Sequence, residues 1–223
     1  MAGSYGTETM QSDQRYRLSF TVGGLLAPQG HSIATLIMQD SDLAEGITPA
    51  TELGERAVHV RRQAIDENVL AIRTQAANSR MVSEVLKRLS ALTGTELRHL
   101  ADRDTPAADR QALMWVAMCR YYAIVGEFAD EVLRDRYLLG QPTVTYEDYD
   151  RFMLAKAMWH PELETLSTAT AAKLRSNLFK AMFEAGLVEK DGNMLQPSLL
   201  SAAVTGILED RPESFRYFPI REH

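Results

Sequence analysis

Residues 146–197 read YEDYDRFMLAKAMWHPELETLSTATAAKLRSNLFKAMFEAGLVEKDGNMLQP, and this stretch decides the fold. Residues 146–158 carry a helical pattern that His160-Pro161 closes. Pro161 then suits the first position of a short second helix over 161–166, where its missing N–H is not needed. Ser167 or Thr168 can cap a third helix running to about residue 184, the hydroxyl accepting from an orphan backbone N–H. Ala185-Gly186-Leu187-Val188 stops that helix, and Asp191-Gly192 is a strong hairpin signal because these residues tolerate the positive φ of a tight turn. Helix, short helix, longer helix and hairpin, in that order, predict a winged helix-turn-helix, the third helix being the one that meets the major groove.

At 3.6 residues per turn the third helix puts Leu174, Leu178, Ala181, Met182 and Ala185 on one inward face. Lys173, Ser176 and Lys180 fall opposite, with Asn177 less central and Arg175 at the flank. Lys and Arg neutralise phosphates, while Ser and Asn donate to phosphate oxygens or base edges. Lys190, just before Asp-Gly, is placed to reach a phosphate from the wing. The polar face of any surface helix gives the same pattern. Winged helices also serve as protein-interaction modules, and Phe179 and Phe183 would supply an apolar flank for that use.

Upstream, residues 107–138 read as one long helix or two abutting ones, ended by Gly140-Gln141-Pro142. The first half (Leu113, Met114, Trp115, Val116, Met118) is apolar nearly all round and is predicted to be the buried centre. Earlier still, helices are predicted near 32–39, from 51 to about 65, and over 67–74, 79–92 and 95–101. They follow an extended segment at 17–22 that Gly23-Gly24 breaks. Residues 40–49 read as a polar loop. The expected architecture is mainly α: a disordered tail at 1–14, a helical N-terminal helix-turn-helix-like domain at 15–105, a long central helix at 106–140, and a winged helix-turn-helix domain with a small β-hairpin at 141–223.

A net charge of −6 argues against a protein that coats DNA through overall positive charge, but phosphate contact depends on where the charges sit. Residues 56–88 hold seven basic residues against three acidic ones, a local balance of +4. Of these, Arg61, Arg62, Arg73, Arg80, Lys87 and Arg88 are candidates for a second part of a nucleic-acid surface. A solvated helix face laced with ion pairs is the competing reading.

Catalytic chemistry finds little support. The single cysteine, Cys119, lies in an apolar run and reads as a buried hydrophobe, which excludes an intramolecular disulfide and a cysteine-clustered zinc site. The five histidines share no metal-ligand spacing and no Gly-rich phosphate loop is present, so neither metal nor cofactor is expected. In Trp159-His160-Pro161-Glu162 an acid/base pair is conceivable; core packing for Trp159 and helix C-capping for His160 are the expected roles. The apolar runs fall far short of the ~20 residues of a membrane span, and a soluble cytoplasmic protein without membrane contact is expected.

Three blocks together carry a family resemblance: Ser19-Phe20-Thr21-Val22-Gly23-Gly24-Leu25-Leu26, Trp159-His160-Pro161-Glu162-Leu163, and Lys173-Leu174-Arg175 through Ala185-Gly186-Leu187. From about Tyr16 to Phe218-Pro219 the chain resembles the BrxA family, small components of bacterial BREX phage-defence systems. The resemblance implies an accessory role in restricting phage DNA alongside separate methyltransferase and ATPase components. It further implies a mostly helical fold with helix-turn-helix character, affinity for double-stranded DNA and no catalytic activity. RNA binding, and a protein-interaction scaffold that touches no nucleic acid, stand as alternatives. No family motif fixes the DNA-contacting residues, so those named above rest on the helical-face argument.

Overall fold

The computed structural model describes residues 15–39 and 53–221, as backbone only for 53–57. The tail expected at 1–14 and the polar loop expected at 40–49 lie outside the described residues. An extended run over 15–22 leads into α1 (Ala27–Gln39), followed by α2 (Leu53–Asp66), α3 (Gln75–Leu89) and α4 (Gly94–Ala101). Thr74 caps α3, satisfying one otherwise orphaned donor, and Thr93 with Glu96 forms a capping box on α4, satisfying two. The helix expected over 67–74 does not form. Asn68 at φ 49° closes α2 instead, with Val69 N–H donating to Ala64 C=O (3.1 Å) and Asn68 N–H to Ile65 C=O (3.2 Å). That is a Schellman end, with Asn in the position glycine usually takes.

α5 (Ala107–Tyr121) is the centre of the molecule: Leu113 through Cys119 are almost wholly excluded from solvent. It touches α1, α3 and α4 on the N-terminal side, and α10 (Thr168–Glu184), α11 (Ala202–Leu208) and the 3-10 turn Pro212–Tyr217 on the other. Trp115 donates its indole N–H to the Tyr217 carbonyl (2.8 Å), fixing the C-terminal turn to the core. The two-helix alternative holds for 107–138. Tyr122, at ψ 92°, breaks the rod, and α6 (Ala123–Phe128) runs through a π-helical turn, Ala129–Arg134, into α7 (Asp135–Leu138). Tyr122 leaves the helical path to give its phenol to Glu84 (2.7 and 2.9 Å). Burial and the Glu84 carboxylate push that phenol above its ordinary pKa, so it stays a donor. Gly126 permits the tight approach that follows, since a Cβ there would lie 2.8 Å from the Cys119 carbonyl oxygen.

Beyond Gly140, α8 (Tyr146–Ala157), α9 (Pro161–Glu164) and α10 appear in the expected order. Thr145 and Asp148 form a capping box on α8, Pro161 opens α9, and Ser167 caps α10. Gly140 and Gly186, both at φ 70°, end α7 and α10 in Schellman motifs of the same kind. The expected hairpin shrinks to isolated bridges: Val188 pairs with Leu195, Thr143 with Met194, and among the described residues no continuous strand forms. Gly192 and Asn193 turn the chain at positive φ, and Pro197, which has no N–H, stands directly after the Gln196 N–H···Leu187 C=O bond (2.9 Å).

Trp159 is not in the core. It is 73% exposed, next to Leu154 (74%) and Met158 (76%) of the same helical segment. His160 takes the buried place, with its ring stacked on Tyr16 at 3.9 Å.

Candidate nucleic-acid interface

α10 faces inward as the periodicity requires: Leu174, Leu178, Ala181 and Met182 are buried, and Phe179 joins them. On its outer side Lys173, Ser176 and Lys180 are exposed in a line, at spacings of three and four residues. Lys190 is exposed on the turn beyond. Two predicted contacts are occupied by the protein itself. Arg175 Nη1 binds both Asp150 oxygens (2.9 and 2.6 Å) while its guanidinium lies over Tyr146, and Asn177 Nδ2 donates to the Phe20 carbonyl (3.0 Å).

The second basic region lies on α2, α3 and the turn between them. Arg61, Arg62, Arg73, Arg80 and Lys87 are exposed. Arg61 is steadied by Ser83 Oγ (3.0 Å) and Ser79 Oγ (3.1 Å), and Arg80 by the Ala76 carbonyl (3.2 Å). Arg62 and Arg73 have no acidic partner among the described residues. Arg88 must be removed from the surface set. It is fully buried, paired with Glu84 (3.0 Å) four residues earlier, and its Nη1 donates to the carbonyls of Gly24 (2.7 Å) and Leu25 (3.1 Å). A charge this deep is held by the carboxylate and carbonyls around it and cannot reach a phosphate.

The segment 19–25 ties the two regions together. Arg88 of α3 grips the Gly24 and Leu25 carbonyls, while Glu184 of α10 accepts from the Leu25 N–H (2.6 Å) and Asn177 holds Phe20. Lys87 Nζ reaches Ser19 Oγ (3.4 Å) on one side of the segment; the Lys180 stem packs against Gly24 on the other. A groove of about 550 Å³ runs along the same segment, bounded by Met81 of α3 and by Lys180 and Phe183 of α10.

Residues 15–20 alternate: Tyr16 and Phe20 are buried, whereas Arg15, Arg17 and Ser19 are exposed. Arg15 and Arg17 were missed as basic surface residues, although the period-two pattern Arg-Tyr-Arg-Leu-Ser-Phe places both outward. At the start of this run Tyr16 N–H donates to Glu162 Oε1 (2.7 Å), which also lies 3.3 Å from His160 Nδ1. Burial pushes the Glu162 carboxyl up, but the Tyr16 and Glu162 amides and the His160 ring outweigh it and hold its pKa below the ordinary carboxylate value. His160 and Glu162 thus anchor the N-terminal segment to α9. Among the described residues no three His, Cys, Asp or Glu side chains converge as a metal site would require, and no helix is long and apolar enough to cross a membrane.

A family model described as BrxA matches residues 14–211. The chain belongs to the BrxA family. Similar BrxA relatives include the BREX protein BrxA of Escherichia coli O9:H4, 23% identical over 186 residues that cover 83% of this chain and 80% of the relative. The BREX protein BrxA of Paramagnetospirillum magneticum is 23% identical over 205 residues, covering 92% and 95%. That of Bacillus cereus is 25% identical over 141 residues, covering 63% and 70%. The fold is shared with the crystal structure of an uncharacterized protein from Magnetospirillum magneticum, at TM-score 0.72 and 19% identity over 91% of this BrxA-family chain and 97% of the other.

Proposed function

We propose that this BrxA-family chain is a non-catalytic accessory protein of a BREX-type antiviral system, acting in the cytoplasm by binding double-stranded DNA. Residues 146–197 act as a winged helix-turn-helix with a shortened wing, and α10 enters the major groove. The observation that carries this reading is the exposed Lys173–Ser176–Lys180 line on the third helix of the helix, short helix, long helix order. Lys173 has no acidic partner among the described residues, and Lys180 has only Glu184 at 3.7 Å, so both ammonium groups are available to phosphates. Lys87, Arg61, Arg62, Arg73 and Arg80 extend the contact across the segment 19–25.

Fluorescence anisotropy with a labelled DNA duplex, single-stranded DNA and duplex RNA, across a salt series, tests the proposal. Duplex DNA should bind with a log affinity that falls linearly with log salt. Duplex RNA should bind more weakly, because its deep, narrow major groove does not admit a helix. Absence of duplex DNA binding at low salt would overturn the reading.

A second contact, with another BREX component, is favoured by Leu154, Met158 and Trp159. An exposed cluster of this kind marks an interaction surface more often than bare solvent contact.

A further inference from the structure

A pocket of about 250 Å³ lies on the far side of the extended run, between residues 15–17, the α5–α6 break and the C-terminal 3-10 turn. Four arginines line it, Arg15, Arg17, Arg120 and Arg216, in a chain whose net charge is −6. Arg120 is already committed. Its guanidinium binds Glu96 (2.8 Å), Ser214 Oγ (2.7 and 3.1 Å) and the Ala91 carbonyl (3.3 Å), so it shapes the wall and offers nothing to a ligand.

The other three differ. Arg15 and Arg17 have no acidic partner among the described residues, whereas Arg216 donates to the Tyr217 hydroxyl and is partly balanced by Glu213 and by Asp130 at 3.8 Å. Arg17 lies over the Tyr121 ring at 4.7 Å and Arg216 over the Tyr217 ring at 5.5 Å. A guanidinium resting on an aromatic ring is held in place with its in-plane N–H donors turned to the side, where they match a phosphate bidentately; Arg17 keeps all of them free, and Arg216 spends one on the Tyr217 hydroxyl. The one carboxylate in the lining, Glu127, is already satisfied by the Tyr16 hydroxyl (2.6 Å) and by Lys156 (2.6 Å). The pocket therefore concentrates two uncompensated positive charges, Arg15 and Arg17, and a third that Asp130 and Glu213 balance in part, around a space too small for a drug-sized ligand and ample for a phosphate group.

We propose that Arg15, Arg17 and Arg216 form a binding site for a phosphomonoester dianion. The phosphate is carried either by a free mononucleotide or by the 5′ end of a nucleic acid strand. This site is separate from the groove-facing line of α10.

Isothermal titration of the full chain with inorganic phosphate, adenosine monophosphate and adenosine tests it. Phosphate and the monophosphate should bind and adenosine should not. Affinity for the monophosphate should fall at least ~10-fold in Arg17→Ala/Arg216→Ala, as for loss of hydrogen bonds to a charged group. Arg15→Ala alone, at an exposed position, should weaken it without disturbing the fold. Competition by a short 5′-phosphorylated oligonucleotide, but not by its 5′-hydroxyl counterpart, would assign the ligand to a strand end. Competition by neither would assign it to the free nucleotide. Lys173→Glu/Lys180→Glu should leave phosphate binding unchanged, which separates this site from the proposed duplex surface. Equal binding of adenosine and its monophosphate, or full affinity in the arginine variants, would overturn the proposal.

Discussion

The buried pair of Glu84 and Arg88 has to be weighed as a unit. Arg88→Met leaves the Glu84 carboxylate in the core with only the Tyr122 hydroxyl, and frees the Gly24 and Leu25 carbonyls. Removing one partner of a buried ion pair costs about 3–5 kcal/mol, so the variant should show a matching drop in unfolding free energy by denaturant titration. Arg62→Ala, on the exposed side of α2, should change it by less than about 0.5 kcal/mol. Helical periodicity alone set Arg88 outside the Val82–Val85–Leu89 stripe. The legible signal was the Glu84–Arg88 spacing of four residues, which reads equally as a surface pair until the carbonyls of the segment 19–25 are known to lie against it. Trp159 and His160 exchange their expected places for a similar reason: the Tyr16 ring and Glu162 side chain, one of them over 140 positions away in sequence, give His160 a buried partner and leave none for Trp159.

At the scale of elements, the helix boundaries that carry chemical punctuation were the readable ones. Pro161, Ser167 and Gly186 mark α9 and both ends of α10, and Gly140 marks the end of α7, each within a residue or two, because each supplies a cap or a backbone angle that few other residues supply. Asn68 does the same work at the end of α2, but an Asn in a helical pattern is a weaker signal than a Gly. The hairpin was overread because Asp191-Gly192 specifies a turn and says nothing of how far pairing extends from it. The close approach after the α5–α6 break depends on Gly126, and Gly126→Ala should destabilise by about 1–3 kcal/mol in thermal or denaturant melts, since the added methyl meets the Cys119 carbonyl. The attachment of the N-terminal run to α9 should depend on pH. The Glu162 pKa is lowered in the fold, so its contribution is complete above the ordinary carboxylate range and is lost as pH falls through the lowered value. Hydrogen exchange at the Tyr16 amide should accelerate, relative to its intrinsic rate, on that acid side, and Glu162→Gln should remove the dependence.

For the whole molecule, a net charge of −6 conceals an uneven distribution. Exposed cations line α10, the α2–α3 surface and the outer edge of residues 15–19, and the buried pair Arg88–Glu84 together with the half-buried Glu184 and Asn177 holds the segment 19–25 between the first two. Sequence reading found the two basic regions separately. Their connection runs through contacts between residues 60 to 160 positions apart, which no local pattern encodes. The central claim is that α10 and this flanking surface grip duplex DNA. Its most direct test is the salt dependence of duplex binding by Lys173→Glu/Lys180→Glu beside the unaltered protein. Loss of two phosphate contacts should weaken binding and reduce the slope of log affinity against log salt by about two. Unchanged affinity and slope in a folded variant would contradict the account.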